Sequence, residues 1–419
     1  KQGGVTYLKL GSDQYYVITD PLDALTAANA CIKKHFAYDT MKPWMGDGLL
    51  ISSGEIWKRH RKLLIPAFTL PVVYGFLDVF NSQAKKLACS MEPHIGKGLF
   101  DHRSYLKDNA LETFCVGTLG INPIDDVNFT RKYMESVNKM LNMGVIRVIK
   151  FWLQNDLIYR LVGLKKKEDE LVNTLHTMID KVLQEKKAAM NDATLNTRSI
   201  VSGIKYKPFL DLLLELSRNG AMSDKEIREE TDIIIAAGFE TTSNHLMYTL
   251  LLLGAHPEVQ EKVYAELLEV VGADRDVEKD DVSKLVYTNA VLMECHRLYP
   301  SVPLVVRYVG EDVQLKNYTM QAGSYCVIMP LVTHLDPTWG AESDKFKPER
   351  WLNGDFRNQK EFAAFGLGKR YCIGTYLFVI LAHFLRQYRV TADISELKLK
   401  YEFILKPDCG HEISIEKRT

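Results

Sequence analysis

The sequence lacks several features that would each point to a particular class of protein. It contains no run of 18 or more apolar residues, so no transmembrane helix is predicted within it. Its seven cysteines are irregularly spaced and include no Cys-x-x-Cys pair. This argues against a zinc ribbon or a disulfide scaffold and favours a reducing, cytosol-facing environment. Lysine plus arginine equal aspartate plus glutamate at 53 each, so no net charge would attract nucleic acid.

The chain also lacks an internal boundary. By length alone, its 419 residues would suit two or three domains. However, no Pro/Gly/Ser-rich linker, repeat or low-complexity segment divides it, and 46% of its residues are hydrophobic. The polar stretch 187–206 is interpreted as a surface loop. We therefore predict a single domain spanning 1–419.

Local patterns predict a mainly α-helical chain with a minor antiparallel β region, an α+β fold. Two strands at 5–10 and 15–19 flank a Gly-Ser-Asp turn, and helical patterns dominate after Pro21. The later elements predicted are helices at 256–271 and 283–299, strands at 305–309, 313–315 and 325–329, and a terminal hairpin of 398–405 and 412–417 joined through the Pro-Asp-Cys-Gly turn at 407–410.

A capping box marks the start of an unusually long helix. Ser223 and Glu226 have the spacing at which each side chain caps the other's backbone amide. The helical pattern that follows ends at Gly254, just before Pro257. About 30 residues at 1.5 Å each give a helix of roughly 45 Å, long enough to cross a domain.

One cysteine lies in a glycine-rich loop, Phe-Gly-Leu-Gly-Lys-Arg-Tyr-Cys-Ile-Gly at 365–374, before a mainly apolar segment at 376–385. Backbone N–H groups in such a loop, and the positive end of a following helix, favour the thiolate of Cys372. A thiolate held in this way is a good axial ligand for haem iron. The alternative is one more buried cysteine. Three glycines allow positive φ or close approach to a flat partner: Gly366, Gly368 and Gly374.

The centre of the long helix carries a second unusual motif, Ala-Ala-Gly-Phe-Glu-Thr-Thr at 236–242. A mid-helix glycine such as Gly238 costs about 1 kcal/mol relative to alanine, and Thr241 can bond back to the carbonyl of Ala237. Together they predict a local opening that accepts dioxygen or water above a metal. Glu240 beside Thr241 then indicates proton delivery. The alternative is a packing glycine followed by polar surface residues.

Together these two motifs resemble the haem-binding loop and the distal helix of the cytochrome P450 monooxygenases. The resemblance covers essentially the whole chain, and residues 44–55 and 238–243 look like the microsomal family-four clan of animals, insects in particular. It implies a cytochrome P450 fold, with haem b between the long distal helix and a proximal helix after the cysteine loop. It also implies that Cys372 is the axial ligand, and that the other cofactor contacts include Ala237, Gly238, Phe365, Gly366 and Gly374.

The resemblance gives roles to motifs that mean little alone. Trp57 and Arg61, one helical turn apart, are implied as donors to a haem propionate, although alone they would more simply be a basic helix face. Arg307 and Arg370 occupy positions that resemble the other propionate ligands.

The resemblance also implies a structural network. Glu294 and Arg297 are three residues apart on one helix face, and Arg350 follows within Pro-Glu-Arg-Trp. Such pairs are mostly solvated surface pairs, but here the surrounding segment is apolar. The resemblance implies that the three residues form a buried network that shapes the cysteine pocket.

Partners and location are implied as well. The basic residues Lys58, Arg59, His60 and Lys62 would face an acidic electron donor, an NADPH-dependent cytochrome reductase or a cytochrome b-type protein. The alternative is a solvated helix face. The cytosolic face of the endoplasmic reticulum membrane is the implied location, with the N-terminal anchor and first helix absent from this chain.

Three positions depart from the family pattern. Many family-four members esterify the haem through a glutamate where Ala237 stands, so we predict non-covalent haem. Phe378 and Leu381 stand where the family usually has a small alanine and a glutamate. These two residues put in doubt the usual packing of the helix beneath the haem.

We therefore expect a haem-thiolate monooxygenase that inserts one oxygen atom of O2 into a lipophilic substrate such as a fatty acid, a terpenoid or hormone, or a xenobiotic. Four largely apolar stretches are predicted to line the pocket: 41–49, 233–239, 302–306 and 407–413. The alternatives are a peroxide isomerase or dehydratase on the same fold, a haem-binding sensor or carrier without turnover, and a helical scaffold without haem. The Glu240–Thr241 pair speaks mildly against the first.

Overall fold

A computed structural model describes residues 4–120, 127–191, 207–352, 360–374 and 379–418. The described residues are mainly helical, as predicted. Their α-helices are α1 Pro21–Ala30, α2 Lys42–Met45, α3 Gly54–Leu64, α4 Leu70–Tyr74, α5 Leu77–Met91, α6 Arg103–Phe114, α7 Val127–Ile149, α8 Asp156–Leu161, α9 Leu164–Asn191, α10 Phe209–Arg218, α11 Asp224–Ala255, α12 Pro257–Val270, α13 Lys279–Val282, α14 Val286–Leu298, α15 Pro330–Thr333 and α16 Val379–Gln387.

The strands are short and belong to four small sheets. In chain order they are β1 Val5–Leu10, β2 Asp13–Ile18, β3 Val305–Tyr308, β4 Val313–Gln314, β5 Thr319–Met320, β6 Tyr325–Ile328, β7 Tyr388–Ala392, β8 Lys398–Glu402, β9 Ile404–Cys409 and β10 Ile413–Lys417. The chain divides by its internal contacts into two compact units. The first comprises 1–35, 87–103 and 244–419, and the second comprises 36–86 and 104–243. The single domain expected from the sequence stays a prediction.

The largest sheet lies in the first unit and has the strand order β1-β2-β6-β3. The predicted hairpin of β1 and β2 is confirmed, although β2 begins at Asp13 rather than Tyr15. β2 and β6 pair in parallel, which the expectation of purely antiparallel pairing missed. One face of α1 packs its alanines against this sheet, with Ala24, Ala27, Ile18 and Ile328 all buried.

The predicted terminal hairpin is wrong. β8 pairs with β9, and the chain reverses at Phe403, whose φ of 68° lies in the left-handed region. Pro407 therefore lies within a strand rather than in the turn. β10 pairs instead with β7, a partner more than 20 residues away along the chain. Turn-forming residues at 407–410 suggested a local hairpin, whereas the strand's actual partner is non-local.

The long helix α11 is confirmed, and so is its capping box. The Ser223 amide donates to Glu226 Oε2 at 2.8 Å, and the Glu226 amide donates to Ser223 Oγ at 3.3 Å. The predicted loop at 187–206 begins later than expected, because α9 continues to Asn191. Its remaining residues, 192–206, lie outside the described residues.

In the second unit a buried hydrogen bond joins α7 to the first half of α11. The Tyr133 hydroxyl donates to Asp232 Oδ1 at 3.0 Å. Burial raises the pKa of Asp232 to about 7, although the hydrogen bond from Tyr133 lowers it. No helix in the described part of the chain is both long and apolar enough to span a bilayer.

Candidate active site

The cysteine loop lies in the first unit and is held by its own backbone. The Cys372 amide donates to the carbonyl of Phe365 at 2.8 Å. The Gly374 amide donates to Cys372 Sγ at 3.3 Å, and Cys372 is exposed. An N–H group directed at the sulfur stabilises the thiolate over the thiol. The arrangement therefore suits a metal-ligating thiolate rather than a buried structural cysteine.

Two of the three loop glycines need their special conformation. Gly366 and Gly368 have φ of +80° and +62°, which L side chains rarely adopt. A Cβ at Gly368 would also lie 2.9 Å from the carbonyl oxygen of Ala28 in α1. Gly374 does not have positive φ, and a Cβ there would lie 3.5 Å from Cys372 Sγ, an ordinary contact. Gly374 therefore does not use positive φ, and its close approach to a flat partner stays a prediction.

Three cations lie together in the same unit. Arg307 on β3 forms an isolated bridge with Lys34, and Arg370 Nε donates to the Ile32 carbonyl at 2.9 Å. Burial, together with the guanidinium groups of Arg307 and Arg370, lowers the pKa of Lys34 well below its usual value. A cluster of this kind suits carboxylate groups of a ligand. Lys34 was missed by the sequence analysis, because its bridge to Arg307 spans some 270 residues and leaves no local pattern.

The distal motif lies in the second unit, on α11. Thr241 Oγ1 donates to the Ala237 carbonyl at 2.7 Å, as predicted. Residues 230–236 are all buried, whereas Ala237 is exposed and Thr241 is half-buried. Positions four apart share one helix face. The middle of this helix, between the buried stretches 229–236 and 243–254, therefore has an accessible face that includes Ala237 and Thr241.

The opening expected at Gly238 is not observed. The helix continues without interruption from Asp224 to Ala255. A Cβ at Gly238 would lie 2.1 Å from the ring of Phe114, so this ring already fills the space beside the glycine. Gly238 thus permits close packing of the C-terminal end of α6 against α11.

Glu240 is buried, with only 2% of its surface exposed. Its Oε1 accepts a hydrogen bond from Lys107 Nζ at 2.7 Å. Lys107, on α6, also donates to Asn138 Oδ1 at 3.2 Å. The role of Glu240 in proton delivery stays a prediction. The sequence did not reveal Lys107 as its partner, because no local motif contains both residues.

Trp57 and Arg61 lie on α3 in the second unit. Trp57 is buried, and Arg61 Cζ lies 5.7 Å from the centre of the indole ring. The two side chains are thus neighbours one helical turn apart, as their spacing predicted.

The basic cluster predicted on α3 is wrong at His60. Its side chain is buried, and its Nδ1 lies 2.5 Å from Glu230 Oε1. Burial alone would lower the pKa of His60, but Glu230 and Glu226 raise it above its usual value. Arg59 also pairs with Glu226. His60 therefore joins α3 to α11 and takes no part in a surface patch.

Glu294, Arg297 and Arg350 form the buried network expected of them. Arg297 holds both carboxylate oxygens of Glu294 at 2.8 Å, and both residues are fully buried. Arg350 Nε reaches Glu294 Oε1 at 3.4 Å, and Trp351 Nε1 donates to Oε2 at 2.8 Å. The remaining N–H groups of Arg297 donate to three backbone carbonyls, those of His334, Ser343 and Lys345.

A chain of hydrogen bonds connects this network to the cysteine loop. The Ala363 amide donates to His334 Nε2 at 2.9 Å, so Nδ1 carries the proton and donates to the Arg297 carbonyl at 2.9 Å. The Gly366 amide in turn donates to the Ala363 carbonyl. The network therefore fixes where the cysteine loop begins.

Comparison with known proteins shows to which family this chain belongs. The sequence profile of the Cytochrome P450 family matches residues 1–414. The chain belongs to the cytochrome P450 family. "Cytochrome P450 4V2" of Mus musculus is 34% identical over 413 residues, covering 95% of this chain and 79% of that protein. "Cytochrome P450 4c3" of Drosophila melanogaster is 32% identical over 409 residues, covering 92% and 76%. "Cytochrome P450 4c21" of Blattella germanica is 29% identical over 426 residues, covering 98% and 85%.

As a cytochrome P450, the protein is a haem-dependent monooxygenase that uses O2, a small-molecule substrate and a redox partner. The described residues fit the cofactor. The Cys372 sulfur receives an N–H donor, and Lys34, Arg307 and Arg370 suit the two haem carboxylates. Ala237 offers no carboxylate for an ester bond.

Two residues after the cysteine loop, Phe378 and Leu381, depart from the family pattern, and the structure describes only the second. Phe378 lies outside the described residues, as do 375–377. Leu381 is fully buried in α16. At this position an apolar side chain thus packs into the core without a polar group to satisfy.

A pair of histidines packs beside the cysteine loop of this cytochrome P450. The rings of His245 and His296 are parallel, with centres 3.3 Å apart and an angle of 3° between their planes. Phe365 meets His296 edge-on at 4.6 Å. Burial lowers the pKa of His296 to about 3 and that of His245 well below its usual value, and in each case a neighbouring histidine adds to the effect. Both rings are therefore neutral in the folded protein at neutral pH.

Removing the acid of the buried network is expected to destabilise the protein strongly. Glu294→Ala leaves two arginines without their carboxylate, which typically costs about 3–5 kcal/mol in the free energy of unfolding. Urea unfolding followed by circular dichroism measures this loss. Lys262→Ala, which breaks the exposed Lys262–Glu349 pair, is the control and should cost under about 1 kcal/mol. Equal losses in the two variants would contradict a buried network.

The histidine pair is expected to make the protein sensitive to acid. Histidines in the unfolded chain bind protons below their ordinary pKa of 6.5, whereas the folded protein keeps His296 neutral down to about 3. Stability is therefore present above pH 6.5 and is lost as the pH falls, by roughly 2 kcal/mol for each such histidine at about pH 5. The free energy of unfolding should thus fall less between about pH 7.5 and 5 in His296→Phe than in the wild type. Leu267→Ala, at a buried leucine of α12 in the same unit, is the control: it destabilises the protein without removing a titratable group and should keep the wild-type pH dependence.

Proposed function

We propose that this cytochrome P450 inserts one oxygen atom of O2 into a lipophilic small molecule, with electrons from an NADPH-dependent reductase. The observation that carries the proposal is the Cys372 sulfur, which is exposed and accepts an N–H donor in a rigid glycine-rich loop. Fatty acids, terpenoids or hormones, and xenobiotics are the candidate substrate classes. The apolar character of the predicted lining stretches supports them: residues 233–236 are Ile-Ile-Ile-Ala, and Val302, Leu304, Val305 and Val306 are half-buried.

The chain's own residues would hold haem b without a covalent bond. The Cys372 thiolate would bind the iron and push electron density toward it, which favours cleavage of the O–O bond. Arg307, Arg370 and Lys34 would bind the propionates, together with Trp57 and Arg61. When bound, haem supplies the iron that activates O2 for oxygen transfer to the substrate.

Proton delivery is assigned to the distal helix. Each turnover consumes protons as the second oxygen atom leaves as water. The Thr241 hydroxyl lies on the accessible face of α11, and the Glu240 carboxylate is the adjacent acid. We assign Glu240 to pass protons inward and Thr241 to present a hydroxyl where oxygen is bound.

The electron donor would dock on the basic side of α3. Lys58, Arg59 and Lys62 are exposed there. Glu55 and Glu226 pair with the first two, so the positive surface is weaker than the sequence suggested. Complementary charge on a reductase, or on a cytochrome b-type donor, would chiefly raise the rate of association.

A membrane surface is the proposed location, on the cytosolic face of the endoplasmic reticulum. The segment from the end of α7 through α8 exposes several large apolar side chains, each between 47% and 77% exposed. They are Ile149, Phe151, Trp152, Leu157, Leu161 and Val162. Lys150 and Arg160 are exposed beside them. Contiguous apolar surface with basic residues nearby favours insertion among anionic headgroups.

Reconstitution tests the reaction. Haem-loaded protein supplied with an NADPH-dependent reductase, NADPH and a panel of fatty acids and terpenoids is expected to form products heavier by one oxygen atom. With 18O2 the added atom should be 18O, as mass spectrometry would show. A fatty acid hydroperoxide is included in the panel, and its conversion without reductase to isomers of unchanged mass or to dehydrated products would support a peroxide isomerase or dehydratase. Haem binding with no product at all would support a sensor.

The axial ligand provides the control for that experiment. The reduced protein with carbon monoxide should show the red-shifted Soret band of thiolate-ligated haem, and Cys372→Ala should lose it together with turnover. Cys89→Ala, which removes an exposed cysteine of α5, should change neither. An imidazole-type band in the wild type would overturn the assignment of Cys372.

Membrane contact is expected to depend on the exposed apolar segment. The Phe151→Glu and Leu161→Glu double variant should bind anionic phospholipid vesicles at least about tenfold more weakly, because each buried apolar side chain contributes about 1.5–3 kcal/mol. Co-sedimentation with vesicles measures the change. Leu99→Glu, at an exposed leucine of the other unit, is the matched control. Unchanged binding of the double variant would assign the segment to another role.

A further inference from the structure

The buried acid of the distal helix has a cationic partner on a neighbouring helix. Lys107 Nζ lies 2.7 Å from Glu240 Oε1, and the two side chains are 14% and 3% exposed. Lys107 is therefore nearly buried itself, with Asn138 Oδ1 as its second acceptor at 3.2 Å. This is not one of the solvated surface pairs that contribute little.

The contact is held by the packing of α6 on α11. Phe114, seven residues after Lys107, fills the space beside Gly238. Seven residues are about two turns of a helix, so Lys107 and Phe114 share one face of α6. The contacts of Lys107 with Glu240 and of Phe114 with Gly238 both hold this face of α6 against α11. Lys107 therefore cannot move away from Glu240 without disturbing the packing of Phe114.

The two oxygens of Glu240 have different surroundings. Oε1 is held by Lys107, whereas Oε2 is buried and receives no hydrogen bond from the described residues. A buried carboxylate oxygen without a donor is costly, so the attached cation has to offset much of that cost. The arrangement keeps one oxygen fixed and the other open to take a proton.

We propose that Lys107 is a positioning residue that supplies the counter-charge of the Glu240 carboxylate and holds its Oε1, which leaves Oε2 for proton transfer. The inference rests on the proposed role of Glu240 in proton delivery and extends it to a residue on another helix. Lys107 itself touches neither substrate nor cofactor in this assignment. Without the lysine, the carboxylate would remain buried with no counter-charge, and burial without a counter-charge favours the neutral form of a carboxyl group.

Infrared spectroscopy tests the protonation state without turnover. At about pH 7, the infrared difference spectrum of haem-loaded Lys107→Met minus the wild type should show an additional carbonyl stretch of a protonated carboxylic acid. The band should be absent from Lys107→Met/Glu240→Gln and from Lys107→Arg, which keeps the cation. Lys86→Met is the matched control. Lys86 is more exposed than Lys107, and it pairs with Glu112, which lies on α6 as Lys107 does. No additional band in Lys107→Met would overturn the proposal.

The free energy of unfolding provides a second test of the Lys107–Glu240 pair. Lys107→Met should unfold at a lower urea concentration than the wild type, and adding Glu240→Gln should restore part of the loss by removing the uncompensated charge. If Lys107 served only to fill space, the double variant would be no more stable than the single one, which would contradict the proposal.

Turnover completes the test. Lys107→Met should yield about tenfold less product per NADPH consumed, with KM for the substrate unchanged and Lys107→Arg largely active. A raised KM with unchanged coupling would place Lys107 in substrate binding and overturn its role. If no variant, nor the wild type, formed product, the proposed function would fail, while the infrared and stability results would still decide whether Lys107 controls the charge of Glu240.

Discussion

A charged side chain that leaves water has to meet an opposite charge or a full set of hydrogen-bond partners, and much of this protein is arranged around that requirement. In one unit, Arg297 and Arg350 meet Glu294, and every N–H group of Arg297 finds an acceptor. In the other, Lys107 meets Glu240. These pairs lie at the points where helices and loops must keep a fixed relation, because a small displacement would leave a charge uncompensated.

The same requirement governs the cysteine loop. The thiolate of Cys372 is an anion, and the Gly374 amide is aimed at it. The start of the loop is tied through His334 to the Glu294–Arg297 network, which helps to hold that amide in place. The positive charges of Lys34, Arg307 and Arg370 need negatively charged partners. In the function proposed here, the haem carboxylates are those partners.

Local signals in the sequence predicted much of this correctly. The capping box at Ser223 and Glu226 and the back-bond of Thr241 involve residues at most four apart, so the sequence alone contains their geometry. The terminal hairpin failed for the opposite reason. The turn residues at 407–410 are compatible with a hairpin, but β10 gains a better partner in β7, far along the chain. Likewise, the helical pattern at 57–62 did not show that His60 faces Glu230 rather than solvent.

The sequence by itself therefore determined the long helix, the cysteine loop and the motifs that mark a cytochrome P450. Each depends on spacing within a few residues, where helix and turn geometry leave little choice. Only the tertiary structure decided that Lys34 joins the arginines, that Phe114 fills the space beside Gly238, and that Lys107 lies against Glu240. These contacts join residues about 125 to 270 positions apart. Their chemistry arises from burial, which brings the groups together and removes the water that would otherwise separate them.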